Sequence, residues 1–434
     1  MKSATYDIVV IGAGPSGSIC ARNLARRGYQ VLLCEKRPVV GIPVRCGEAT
    51  GPRKRLADFM AVHDEWLETS LSGVIMHGPG GHSIRYDGDK EIGVMLDRAK
   101  FDQDLARQAQ AEGAELVVDA RVTSLSAWDG KGRKVTVLHA GIEYAIQAKM
   151  VVGADGAESL SGRWVGLKTR QLPPYTCTAI EFRLDAMDAN PNHLTFWQGH
   201  ETINKGYIWV FPKVKSRVVN LGSGELVPKL GARNMYDLSM EWKQKLFPNA
   251  ELLEVHGGCV PVSGNLTEYV TDGFLLSGDA AHHTNPLTGG GIMASIVAAD
   301  IAAHWIDRGL QSGDLSKTFL KNYERACWEK FGRNHFREAR IRDFVLALPP
   351  QSQIRFYGIF KDMVDGGLTL PAKIWGYTRL LGLAARHWPL AKPVLQAGRH
   401  RPYGKGSVSS PPAGKGSREF SNVEAPSAAK TTST

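Results

Sequence analysis

A tight glycine turn set between a short apolar strand and a helix constrains this chain more than any other feature. In "YDIVVIGAGPSGSICARNLARRGYQVLLCEKR" the β-branched run Ile8 to Ile11 reads as a buried parallel strand. Gly12, Gly14 and Gly17 follow in a GxGxxG pattern. The first glycine permits the sharp turn, the second lets a pyrophosphate approach the backbone, and the third packs helix on strand. The helix N-terminus then faces the phosphates with its free N–H groups. A second strand, Val31 to Cys34, ends in Glu35, at the spacing of roughly 20 residues where a carboxylate binds a ribose hydroxyl. Strand, turn, helix, strand and acid together predict a dinucleotide site. A purely structural glycine turn leaves Glu35 unexplained.

The length of 434 residues allows two or three domains or one large elaborated fold. A net charge of +10 suggests an anionic partner, whether phosphorylated substrate, membrane surface or nucleic acid. The six cysteines are scattered, with no CxxC and no metal-ligand spacing, so no metal site is expected and reduced thiols of a cytoplasmic protein are. No signal peptide is apparent, since "MKSATYDIVVIGAG" runs straight into a strand, and no uninterrupted apolar run is long enough to span a bilayer.

Later segments decide between a flavin and a nicotinamide cofactor. "AKMVVGADGAESLSGRWVGL" is a strand with an Asp-Gly turn, and "GFLLSGDAAHHTNPLTGGGIMASIVAADIAAHWI" is a strand ending at Gly278-Asp279. A proline loop and Gly289 to Gly291 then enter a helix of small residues. Asp279 suits a ribityl hydroxyl, and the glycine N–H groups at a helix N-terminus suit a reduced flavin ring. In this order the segments resemble the FAD-binding pattern of para-hydroxybenzoate hydroxylase-like flavoproteins, over most of residues 5–310.

Within that superfamily, "PVRCGE", "GYIWVFPK" and "NPLTGGGI" together resemble the geranylgeranyl reductase family, whose members saturate isolated C=C bonds of prenyl chains. The resemblance implies that Ser16, Glu35, Cys46, Gly47, Arg98, Val122, Asp279, Gly291 and Ile292 contact FAD, with Ala49 and Gly290 beside them. It also implies that Tyr207, Trp209, Phe211 and Pro212 line the prenyl site. The chain departs from the family after "GDAA": His282 and His283 stand where relatives often carry Gly-Gln or a similar pair. His283 is thereby a candidate proton donor, against the plainer reading of a histidine bonded to nearby backbone.

The residues themselves support this. "GYIWVFP" alternates, so Tyr207, Trp209 and Phe211 share one strand face, either a wall for a polyprenyl chain or a sandwich core. Cys46, a candidate catalytic residue, sits in a loop that Gly41 and Gly47 can bring to the flavin; otherwise it is a small residue that fits. Arg45 beside it is expected to lower the thiol pKa and to favour an anionic reduced ring.

The expected fold is α/β plus α+β: a Rossmann-type FAD domain with an inserted antiparallel-sheet substrate domain and C-terminal helices. Residues 1–175 and 265–310 form the FAD domain, 176–264 the substrate domain and 311–400 a helical region with basic and aromatic edges suited to an anionic membrane surface. The Ser-, Pro- and Gly-rich 401–434 is expected to be disordered. The electron donor stays open among NADPH, NADH and a ferredoxin, because no second GxGxxG is apparent. One rival is an oxygen-using hydroxylase or halogenase, since "YIWVF" partly matches a Trp-x-Trp-x-Ile motif with Tyr207 in place of the first tryptophan. Nucleic-acid binding is not expected, because these aromatics lie on an apolar strand without interleaved cations.

Overall fold

The computed structural model describes residues 1–170, 173–187, 190–226 and 234–397; the tail 401–434 lies outside the described residues. Thr5–Ile11 is the central strand of an eight-stranded sheet. It pairs in parallel with Val31–Cys34 on one side and with the long Ile142–Gly153 on the other, so Val9 lies between Leu32 and Val151. All three are fully buried, and burying each such side chain stabilises the fold by about 1.5–3 kcal/mol. Phe274–Leu276 joins the far edge of 142–153, again in parallel, and returns the chain to this sheet late in the sequence. Helix Pro15–Ala25 packs against both Arg98–Ala111 and Ile292–Ser312 beside the sheet.

A second sheet of seven strands runs in the order Glu251–Pro261, Thr176–Asp185, Val218–Leu226, Gly206–Lys213, His193–Gln198, Gly73–His77, Ser83–Asp87. Two of its strands come from 73–87, ahead of the 176–264 stretch, and the pairing of 193–198 with 73–77 is parallel. The insertion is therefore mixed rather than wholly antiparallel. Its two faces differ in what covers them. Ile208, Val210, Phe182 and Leu221 pack under helix Met235–Leu246, chiefly against Leu238 and Trp242. The opposite face carries Tyr207, Trp209 and Phe211 toward Ala49, Leu71 and Met95 of a small three-stranded sheet.

Beyond the 292–312 helix, Lys317–Cys327 continues through one π-helical turn, Trp328–Gly332, into Arg333–Ala347. Pro350–Asp365, Leu370–Arg386 and Trp388–Ala397 complete the C-terminal helices. The proline and glycine breaks seen in the sequence separate these short elements.

Candidate active site between the two sheets

The glycine turn is built as its pattern requires. Gly12 has φ +100°, and a Cβ there would lie 2.5 Å from Ala154 O; one on Gly17 would lie 1.8 Å from Gly12 O. Gly14 has open space before it and caps the 15–25 helix without any side-chain bond, so the helix N–H groups are left for an anion. Glu35 accepts from Ala13 N–H (2.9 Å) and Arg37 N–H (3.0 Å), which fixes its carboxylate beside the turn with lone pairs to spare. Val122 is buried on the neighbouring strand Ala120–Leu125.

The returning segment closes on this turn. Ser16 Oγ donates to Ser277 Oγ (2.7 Å), which places Asp279 near the same helix. Asp279 is half-buried, and its carboxylate accepts from Thr284 Oγ1 (2.9 Å); desolvation pushes the carboxyl up, with Thr284 and Arg98 opposing. Gly291 lies against it, and no side chain caps the helix that starts at Ile292. Gly289 and Gly290 spend their N–H groups inside the loop, on Asn285 O (2.9 Å) and Thr288 Oγ1 (3.2 Å). Of the glycine run, the Gly291 end therefore stands beside Asp279 as an uncapped helix N-terminus. An uncapped glycine cradle, a second uncapped helix and a half-buried carboxyl held by Thr284 fit a dinucleotide with a ribityl chain.

The cysteine loop forms the third side. Cys46 Sγ accepts from Glu48 N–H (3.2 Å) and lies beside the Arg98 guanidinium. Arg98 makes a two-pronged bond to Asp102 (3.0 and 2.8 Å). Burial pushes the Cys46 thiol up, and Arg98 only partly opposes this. The expectation for Arg45 is thereby corrected: its guanidinium turns outward to Glu158 (3.3 Å), and the cation at the thiol is Arg98. Cys46 is a neutral thiol, because desolvation outweighs a single nearby cation.

Glu48 holds this loop to the second sheet. It has φ +68° and is fully buried. Its Oε2 accepts from Lys213 Nζ (2.8 Å), Arg183 Nη2 (3.1 Å) and Asn220 Nδ2 (2.7 Å), and its Oε1 from Arg98 N–H (2.9 Å). Gly47 thereby rests on Phe211, and Ala49 packs into the aromatic cluster.

Tyr207, Trp209 and Phe211 make edge and tilted ring contacts with one another and with Phe196. Tyr207 Oη donates to Thr288 O (2.5 Å), tying this face to the loop before the 292–312 helix. The aromatic wall thus stands against the Cys46 loop and is tied to the loop before the 292–312 helix, and with the glycine turn and Asp279 it outlines the candidate site. Pro212 does not belong to it: strand alternation puts Pro212 on the Ile208–Val210 face, and Lys213 takes its place on the cavity side. His283 is also corrected. It is fully buried within Tyr269, Tyr323 and Phe331, with neither ring nitrogen bonded among the described residues. Burial holds it well below the usual imidazole value, so it is a neutral ring behind the loop rather than an acid at the cavity.

Sequence reading missed Glu48 of the cysteine loop and Lys213, Asn220, Arg183 and Glu181 on the facing side of the second sheet. The signal available was "LGSG", whose Gly222 and Gly224 stand beside Trp209 and Tyr207 in register. A Cβ on Gly222 would lie 2.1 Å from Trp209 Cζ2, so the glycine makes room for the indole to cross the strand.

Comparison with known proteins agrees with this geometry. An FAD binding domain family matches residues 5–216, and the geranylgeranyl reductase catalytic domain matches 176–260. The chain is 35% identical over 346 residues to digeranylgeranylglycerophospholipid reductase 1 of Methanococcoides burtonii, covering 79% of this chain and 84% of that one. Its counterpart from Methanosarcina acetivorans is 36% identical over 330 residues, covering 75% and 81%. The crystal structure of a geranylgeranyl bacteriochlorophyll reductase-like protein of Thermoplasma acidophilum superimposes with a TM-score of 0.81 at 29% identity, covering 91% and 99%. The flavin-dependent brominase Bmp2 shares the fold, with a TM-score of 0.65 at 20% identity and coverage of 86% and 93%.

Proposed function

This chain belongs to the geranylgeranyl reductase family, and on that premise we propose that its substrate is a membrane lipid with geranylgeranyl chains on a phosphorylated headgroup. It is an FAD-dependent oxidoreductase that saturates C=C bonds of polyprenyl chains. Reduced FAD supplies the hydride. The protein's residues bind the cofactor, hold the chain and exclude water. An isolated alkene is a poor hydride acceptor, so alignment and water exclusion carry much of the rate.

The observation that carries the reading is the Tyr207–Trp209–Phe211 wall standing against the Cys46 loop. We assign Gly12, Gly14, Ser16, Gly17 and Glu35 to the adenosine and pyrophosphate, and Asp279 with Gly291 and Ile292 to the ribityl and ring end. Cys46, Gly47 and Arg98 would lie at the ring, and the three aromatics along the prenyl chain. The relatives' names specify a digeranylgeranyl glycerophospholipid, and a chain of that chemistry suits an apolar wall at the base of a cavity.

No helix among the described residues is long and apolar enough to cross a membrane. The 370–386 helix instead turns Leu370, Ile374, Trp375 and Leu381 outward, each at least half exposed. Beside it, a cavity of about 470 Å³ is lined by His82, Arg355, Arg379 and Arg386, with Asp362 bonded to Arg379 (2.8 Å). An apolar face next to arginines is the composition of an anionic lipid interface, which supports peripheral attachment at the cytoplasmic face. Electrons would come from a nicotinamide or a ferredoxin.

The test is anaerobic. Dithionite-reduced protein mixed with digeranylgeranylglycerophospholipid should oxidise its flavin and add one hydrogen pair per bond, read by mass spectrometry of the lipid. Product that forms only with oxygen consumption would replace this reading by a monooxygenase or halogenase. Cosedimentation with phosphatidylglycerol vesicles, lost in Trp375→Ala/Leu381→Ala, tests the membrane part; binding indifferent to both lipid charge and these side chains would refute it.

A further inference from the structure

Saturating an alkene consumes a hydride and a proton, and successive bonds on one chain consume a proton each time. A water-excluding cavity must therefore contain an acid and a route by which that acid is recharged. Cys46 is a thiol that desolvation pushes up beside a guanidinium, and His283 is sealed in aromatic rings with neither nitrogen bonded among the described residues.

One row of the second sheet leads from the surface inward. His256, Glu181, Gly222, Trp209 and Phe196 lie side by side on neighbouring strands. Glu181 is buried, and its Oε2 accepts from Trp209 Nε1–H (2.9 Å) across the space left by Gly222. A Cβ on Gly47 would lie 3.6 Å from the same Oε2, so the carboxyl stands directly against the Cys46–Gly47 loop. Its second oxygen, Oε1, is buried with no hydrogen-bond partner among the described residues. On the side away from the cavity, His256 Nδ1 lies 3.9 Å from Oε1 and is itself unpartnered. His256 Nε2 reaches Glu254 Oε2 (2.9 Å), whose side chain is 49% exposed. The row thus runs from solvent to the cavity through two titratable groups, each with an open hydrogen-bonding position toward the other.

We propose that Glu181 gives the proton to the alkene and that His256, backed by Glu254 at the surface, returns one to it from solvent. The assignment rests on the reductase reading. The hydride from reduced flavin forms one C–H bond while the Glu181 O–H proton forms the other, and the alkene π pair is consumed. Bound reduced FAD would supply the hydride's two electrons, and the electron donor would restore them. The Glu181 carboxylate left behind takes a proton from the His256 imidazolium, which is recharged through Glu254 from water.

The surroundings suit these roles. Burial pushes the Glu181 carboxyl up, opposed by His256 and Trp209, while Glu48 adds to the rise. His256 is held above the usual imidazole value by facing Glu181, with Arg183 opposing and Glu254 assisting. From the loop, Cys46 also faces Glu181, and among the described residues no lysine or arginine pairs with its carboxyl, which faces His256 at 3.9 Å. Burial without a lysine or arginine partner favours the protonated acid that the donor role needs.

The experiment uses FAD-loaded Glu181→Gln, Glu181→Asp and His256→Gln. With FAD content equal to wild type, Glu181→Gln should oxidise reduced flavin with the prenyl lipid about 10²–10⁴-fold more slowly, and Glu181→Asp should recover part of that rate. His256→Gln should slow repeated turnover, with added imidazole restoring it. Independently of turnover, infrared spectra of the FAD-free protein should show a protonated carboxyl stretch at neutral pH that disappears in Glu181→Gln. Wild-type rates in Glu181→Gln, an unchanged carboxyl band, or loss of FAD from Glu181→Asp as well as Glu181→Gln would overturn the assignment. If wild-type reduced flavin is inert to prenyl lipid although the band is present, the reductase reading falls and the proton-donor role falls with it.

Discussion

Replacing Glu48 by glutamine removes one negative charge from a pocket that holds two cations. Lys213 is 3% exposed and Arg183 18%, and both aim at the same Glu48 oxygen. Burial alone would push the Glu48 carboxyl up, yet Lys213 and Arg183 more than offset it and hold it below its ordinary value of 4.5. Breaking one side of a buried pair costs about 3–5 kcal/mol, because the remaining charge loses both partner and water. Glu48→Gln should therefore lose about 3–5 kcal/mol in urea unfolding at neutral pH and fixed excess FAD, with the slope against urea unchanged. Adding Lys213→Met removes one stranded cation and should return about 1–3 kcal/mol. The sign of the pH dependence follows from the depressed folded-state value. The contribution is fully present above 4.5 and is lost as pH falls through the lower folded value, so wild type and Glu48→Gln should converge in acid. A Glu48→Gln stability within about 1 kcal/mol of wild type at neutral pH would refute the reasoning.

Gly222→Ala places a Cβ 2.1 Å from Trp209 Cζ2; it should cost about 1–3 kcal/mol and shift Trp209 fluorescence as the indole leaves Glu181. Glu35→Gln weakens one charge-assisted bond to the ribose, worth about 1.5–3 kcal/mol, so FAD should dissociate about tenfold to a hundredfold more readily in equilibrium dialysis. Equal retention would remove Glu35 from the cofactor site. The Cys46 thiol should resist iodoacetamide at neutral pH in FAD-free protein and react only above its ordinary value of 9.0, since burial raises it; mass spectrometry of the modified peptide reads this. Cys46→Ala and Cys46→Ser, with FAD verified, separate a chemical role from a fitted one: wild-type rate and product pattern in both would leave the cysteine none.

The fold was legible where local pattern and burial agree. Ile8 to Ile11, the glycine turn and Glu35 specify one supersecondary unit within about thirty residues, and its strand is central to the sheet. Strands 73–77 and 83–87 were not assigned to the second sheet, because pairing across more than a hundred residues leaves no local periodicity to read. Pro212 was misplaced for a simpler reason. A motif carries it as part of a string, while the two-residue period of a strand divides that string between two faces.

The polar half of the cavity was illegible for a physical reason that also explains its architecture. In "TAIEFRLDA" Glu181 and Arg183 alternate with Ile180, Phe182 and Leu184, the signature of a sheet with one apolar face and one wet face. The apolar face does lie under the 235–246 helix, at Phe182 and Leu184. The other is covered by the Cys46 loop, so residues that read as solvated are buried and must find partners. Arg183 finds Glu48 and, at 3.0 Å, Glu254. Glu181 finds only the Trp209 indole and the distant His256. A cation for every buried acid would have made the sheet a static ion-pair network. Leaving Glu181 without a lysine or arginine, beside a glycine that admits Trp209 and a histidine that leads outward, keeps one exchangeable proton where the apolar wall meets the cysteine loop.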